Sequence, residues 1–171
     1  MNNLLQQLPA LVGVVIGAVA SFLAGNASER ARWRRRQTTR WDKRRLEAYT
    51  DYAYAVKDQI HLATRIAAHL KLNETLQPLD PAEGLELLQA ANQTRSVKWE
   101  TLLLLGTPAA VAAARRWHVS AWRLQDFALG KRTGRDAWNE AFAESGTARH
   151  SFYETARRDL GVSGTPPLPP P

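Results

Sequence analysis

The chain has no cysteine among its 171 residues. That excludes disulfides, thiolate metal sites and a cysteine nucleophile, and it fits a reducing compartment. Charge is missing from one long stretch. The eighteen residues Leu8 to Gly25, LPALVGVVIGAVASFLAG, carry no ionisable side chain, so a proton relay or ion path through them has no groups to use. Glycine and proline are absent between Gly25 and Pro78, so nothing in that interval stops a helix once it has begun. The patterns of common chemistries are also missing: there is no GxSxG, GxGxxG, HExxH or phosphate-binding loop.

What is present begins with that uncharged stretch. Counted from Leu8 or from Leu4 to Gly25 it spans about 27 to 33 Å as a helix, which brackets a hydrocarbon core of ~30 Å. Nine of its eighteen residues are Leu, Val, Ile or Phe, worth together about −3 to −5 kcal/mol of insertion energy. Residues 4–25 are therefore expected to form a transmembrane helix. The competing reading is a cleaved signal peptide, because Ala18-Val19-Ala20 precedes Ser21 in a small-x-small arrangement. The leading MNNLLQQ has no Lys or Arg, and a signal peptide wants a basic start, which favours the anchor.

The next segment, 26–45, reads as a basic stalk. Arg30, Arg32, Arg34, Arg35, Arg36, Arg40, Lys43, Arg44 and Arg45 oppose only Glu29 and Asp42, a net of +7 that equals the net charge of the whole chain. The basic balance thus belongs to one juxtamembrane segment. Positive-inside bias predicts a single-pass protein of the cell membrane, with its N-terminus outside and residues 29–171 in the cytoplasm. The arginines are expected to contact the bilayer and its anionic lipids, at about 1 kcal/mol per basic residue near the surface, and Trp33 and Trp41 suit the interfacial belt. The alternative is phosphate contact with nucleic acid tethered at the membrane, a partner that basic residues beside a span do not require. Within the span, Gly13, Gly17, Ser21 and Gly25 recur every four residues and offer a membrane-helix dimer face of the GxxxG kind, and so a homodimer.

Residues 46–160 are expected to be a cytoplasmic, all-α domain. Leu46, Tyr49, Ala53, Val56, Ile60, Ala63, Ala67 and Leu70 are spaced 3, 4, 3, 4, 3, 4, 3, a coiled-coil-like seam on a helix continuous with the transmembrane one. Asp80-Pro81-Ala82-Glu83 signals the start of a second helix over 81–105, with Leu85, Leu88, Ala91, Val97, Trp99 and Leu102 to Leu105 as a less regular inward stripe. Gly106-Thr107-Pro108 closes it and opens a third over 108–130, with its seam at Val111, Ala114, Trp117, Ala121, Leu124 and Ala128. Thr133-Gly134 precedes a fourth over 134–160, with Trp138, Ala141, Phe142, Ser145, Ala148, Phe152, Ala156 and Leu160 on one face. Similar lengths and short connections predict an up-down-up-down antiparallel four-helix bundle. Residues 161–171, ending in PPLPPP, are expected to form a disordered Pro-rich tail.

Around Arg40-Trp41-Asp42-Lys43-Arg44-Arg45-Leu46-Glu47-Ala48-Tyr49-Thr50-Asp51-Tyr52 the chain resembles the small, largely uncharacterised membrane-anchored proteins of actinobacteria. In these, W-x-x-R-R-x-x-A-Y-x-x-[FY] follows an N-terminal span and precedes an Ala-rich helical region. The resemblance covers about residues 8–55. It implies the architecture above and brings no catalytic residues or activity.

Candidates for chemistry are sparse. Asp58 and His61 share a helix face at i, i+3 but flank the seam, and a di-metal bundle needs a second such pair and two further inward acids. His69, His118 and His150 are isolated, with His118 expected at a helix surface or core edge. Asp136, Glu140 and Glu144 form an acidic row expected to be a solvated face, the alternative being contact with Arg115, Arg116 or Arg123 on a neighbouring helix. No ionisable cluster is expected at core positions, and neither a cofactor nor a catalytic set is predicted. Leu102, Leu103, Leu104 and Leu105 are four consecutive large apolar residues, more than one helix face buries; the remainder either packs against several neighbours inside the bundle or forms a candidate partner patch toward the membrane or another subunit. The function expected is a non-enzymatic scaffold, oligomerisation or partner-recruiting module, with an unidentified protein partner.

Overall fold

The computed structural model describes residues 41–74 and 77–164. The expected span at 4–25, the stalk up to residue 40 and the tail from 165 lie outside the described residues. The chain divides into two units, Met1–Lys43 and Arg44–Pro171, and the contacts below are those of the second. No helix among the described residues is long and apolar enough to cross a membrane.

Four helices and no strand occur among the described residues. Helix α1 covers residues 41–69, α2 runs Pro81–Leu105, α3 Pro108–Ala128 and α4 Arg135–Asp159. The starts of α2 and α3 are set chemically. Asp80 accepts from the Ala82 amide at 2.8 Å and Thr107 from the Ala110 amide at 3.3 Å, each directly before a proline. A proline at the first position loses nothing, since its missing N–H would have had no intrahelical partner. Helix α4 starts after Gly134, at φ 99°, a left-handed conformation that glycine adopts without steric cost. The α1–α2 connection is tied back to α1 by Leu79 N to Arg65 O at 3.0 Å and Asn73 Nδ2 to Thr64 O at 3.1 Å.

The buried side chains form two clusters. One joins Tyr49, Tyr52 and Val56 of α1 with Leu102, Ala110, Ala114, Trp117, Phe152 and Ala156. The other joins Ile66 and Ala67 of α1 with Leu79, Leu88, Leu124, Phe127, Trp138 and Ala141. Tyr49 Oη and Thr107 Oγ1 both donate to Asp159 Oδ2, joining α1, the cap of α3 and the last residue of α4 at one oxygen. Burial and that carboxylate push the Tyr49 phenol up to about 12.

Three expectations about which residues face inward are corrected. Leu46 and Leu70, assigned to the α1 seam, are exposed, whereas Tyr52, Gln59 and Ile66, spaced by seven, are fully buried. A helix with neighbours on several sides buries more than one stripe, and its buried face is centred between the heptad seam and this second row. In α2 the inward residues are Gly84, Leu88, Ala91, Arg95 and Leu102, while Val97 points outward with 66% of its surface exposed. Phe142 of α4 is likewise exposed. Gly84 permits close approach: a Cβ there would lie 2.7 Å from Ile66 Cγ1 and 2.8 Å from Ile66 Cδ1.

Candidate functional site

Of the residues expected to act at the membrane, Gly13, Gly17, Ser21, Gly25, Arg30, Arg32, Arg34, Arg35, Arg36 and Arg40 lie outside the described residues. Lys43, Arg44 and Arg45 lie on α1. Arg45 donates through Nε to the Leu105 carbonyl at 2.9 Å. That carbonyl belongs to the last turn of α2, which has no basic residue of its own. A cation from another helix therefore meets the negative end of the α2 dipole.

The four leucines divide. Leu102 is fully buried in the core, Leu105 is half-buried, and Leu103 and Leu104 face outward, Leu104 with 84% of its surface exposed. Leu104 also belongs to a longer feature. Leu87, Ala90, Thr94, Val97, Thr101 and Leu104 are all exposed and are spaced 3, 4, 3, 4, 3 along α2. This is a heptad stripe without a charge, on a helix whose inner face is already occupied. The Thr94 hydroxyl donates back to Ala90 O at 3.1 Å, so the polarity of that position is spent within the helix. The spacing is present in the sequence, where Val97 reads as an inward residue and so hides the stripe.

The core contains the ionisable group that the sequence did not foretell. Arg95 and His118 each expose 5% of their surface and Tyr52 none, which overturns the expectation of a core without clustered ionisable residues. Arg95 donates to Asn92 Oδ1 and to Ser96 Oγ through Nη2, at 3.1 and 3.2 Å, and its guanidinium sits 5.1 Å from the Trp122 ring centroid. No carboxylate lies within ion-pair distance of it among the described residues. Burial lowers its pKa from the ordinary arginine value. His118 is flanked by the rings of Trp99 and Trp122 at 4.6 and 4.8 Å, and burial, with Arg95 and Arg115 adding repulsion, lowers its pKa to about 4. It is a neutral core histidine rather than the surface or core-edge residue expected.

This group has little scope for catalysis. The imidazole is enclosed by indoles and hydrogen-bonded to a phenol whose own pKa burial raises, so neither is free to take a proton from a substrate. A second polar chain crosses nearby, Gln59 Nε2 and Asn92 Nδ2 both donating to Gln125 Oε1, at 2.9 and 3.3 Å. Asp58 and His61 are both exposed. Among the described residues no three His, Cys, Asp or Glu side chains converge on a metal-sized space. The acidic row Asp136, Glu140 and Glu144 is an exposed face, and of the three Glu144 pairs with Arg123 of α3. No protein family, curated protein or solved structure matches the chain.

Proposed function

We propose that the chain is a single-pass membrane protein whose cytoplasmic helices form an up-down-up-down antiparallel bundle. In this reading it works without catalysis, as a scaffold that presents one face of α2 to a second helix. The bundle direction is supported by the two clusters. One contains the beginning of α1, the end of α2, the beginning of α3 and the end of α4, and the other contains the opposite ends. The membrane anchor rests on the uncharged run Leu8 to Gly25 and the arginines behind it.

The observation that carries the scaffold reading is the exposed stripe Leu87, Ala90, Thr94, Val97, Thr101 and Leu104. An uncharged heptad row is what a partner helix buries in knobs-into-holes contact, and solvent gives no reason for one. The basic segment has no comparable support as a nucleic-acid surface, and Arg45 already serves the α2 terminus. A photocrosslinking residue at position 97 of the full chain, in its native membrane, tests the reading. A discrete adduct at 97, absent when the same residue replaces inward-facing Leu88, is expected. No adduct at 97, or one unchanged by Leu104→Glu, would remove the support.

A further inference from the structure

A cavity of about 300 Å³ opens between α1, α3 and α4, within the size range of small-molecule sites. Trp117 lies beneath it, itself fully covered. Ile60, Thr64, Phe142 and Ser145 form the walls, and among the described residues Lys57, His61 and Arg149 are the ionisable ones lining it. The rim is thus cationic. Among the described residues neither Lys57 nor Arg149 makes an ion pair, whereas Glu144 and Glu154 of α4 are engaged elsewhere, with Arg123 and His150.

One further feature sets the cavity apart from a packing gap. Gly146 also lines the cavity, in the interior of α4, where glycine weakens a helix relative to alanine. No turn or close approach requires it, because a Cβ at Gly146 would meet nothing within 4 Å. Its effect is to leave the cavity wall open. Phe142, exposed although aromatic and stacked on Trp138, gains an explanation as a side wall.

The geometry points to a binding site for a small organic anion with a flat or branched apolar body, its body between Ile60 and Phe142 and its charge between Lys57 and Arg149. The apolar walls select the body, and the unpaired cations at the mouth select the sign of the charge. The site shares no residue with the α2 stripe and stands or falls separately from it. Free carboxylic acids and anionic lipids both offer this chemistry.

The test uses the full chain in nanodiscs of neutral phosphatidylcholine, titrated calorimetrically with 3-phenylpropionate against empty discs. Saturable one-to-one binding is expected. Its affinity should fall roughly fivefold in the Lys57→Gln/Arg149→Gln variant, the worth of two partly exposed charge contacts. The neutral 3-phenylpropanamide should bind more weakly than the acid to the native protein and equally to that variant. Gly146→Leu, which fills the cavity from a position with room for a side chain, should lower affinity by at least about tenfold while leaving the melting transition no lower. Discs containing phosphatidylglycerol separate the sources. Competition with 3-phenylpropionate identifies a lipid as the natural occupant, and its absence identifies a soluble acid. No saturable binding of 3-phenylpropionate, or binding indifferent to both sets of substitutions, overturns the proposal.

Discussion

Tyr52 Oη donates its single proton to the Ala114 carbonyl, 2.8 Å away, so toward His118 Nδ1, at 3.1 Å, it can only accept. The imidazole therefore carries a hydrogen on Nδ1, and its pKa, lowered by burial to about 4, leaves it neutral near pH 7. The consequence for stability has a definite sign. The unfolded chain takes up a proton at this histidine near pH 6.5 and the folded chain only near pH 4, so the contribution is complete above pH 6.5 and drains away as pH falls toward 4. Between pH 7 and pH 5 the native protein should lose about 2 kcal/mol through this residue. His118→Phe should flatten that part of the profile, as read from urea midpoints at the two pH values. An unchanged slope would mean the histidine is hydrated in solution.

Arg95 gives a second contrast. Its guanidinium is buried against Trp122 and bonded to Asn92 and Ser96 without an opposing carboxylate among the described residues. Desolvation of the charge opposes folding, while the aliphatic stem fills an inward position between Ala91 and Leu102. Arg95→Met keeps the volume and drops the charge, and should be neutral or stabilise by about 1 kcal/mol. Arg95→Ala empties the position and should cost about 2 kcal/mol or more. Chemical denaturation of both variants distinguishes a tolerated charge from a required one.

Asp159 accepts from two hydroxyls on different elements, Tyr49 Oη and Thr107 Oγ1. Asp159→Ala should leave both donors to find water in a half-buried site, at a cost of about 1 to 3 kcal/mol. Because Tyr49 loses the carboxylate that helps keep it protonated, its titration should also move down from about 12, visible in the tyrosinate absorbance.

Two helical glycines should respond to alanine with opposite signs. At Gly146 a Cβ meets nothing, so Gly146→Ala should stabilise by about 0.5 to 1 kcal/mol, the propensity difference alone. At Gly84 a Cβ would sit within 2.8 Å of two atoms of fully buried Ile66. Overpacking there should outweigh the propensity gain and cost about 1 kcal/mol or more. Thermal melts of the pair decide the matter.

The helices were legible where local chemistry sets their ends. Asp80-Pro81 and Thr107-Pro108 mark boundaries that need only neighbouring residues, and α2 occupies the expected 81–105. The end of α1 at residue 69 has no such marker, because it is set where the chain turns back to bond Leu72 N to Ala67 O. Arg95 and His118 were illegible for a different reason. Both sit at spacings that belong to a buried face, but their side chains argue for solvent, and what overrides that argument comes from elsewhere: Trp99 and Trp122 around the imidazole, Tyr52 from α1. The cavity over Trp117 depends on how three helices fail to fill a volume, which no single stripe records.

Neighbouring leucines on α2 offer the sharpest separation of stability from association. Leu102 is fully buried beside Tyr52 and Ala114, and Leu104 is the most exposed large apolar side chain among the described residues. Leu102→Ala should cost about 2 to 5 kcal/mol, since it opens a cavity in the core. Leu104→Glu and Val97→Glu should each change stability by less than about 0.5 kcal/mol, as surface substitutions away from any hydrogen bond do. If a partner helix covers the stripe, Leu104→Glu puts charge into the contact and should abolish the position-97 adduct with folding intact. Should either glutamate instead lower stability by several kcal/mol, the outer face of α2 would already be covered within the chain. The exposed stripe would then no longer be available to a partner.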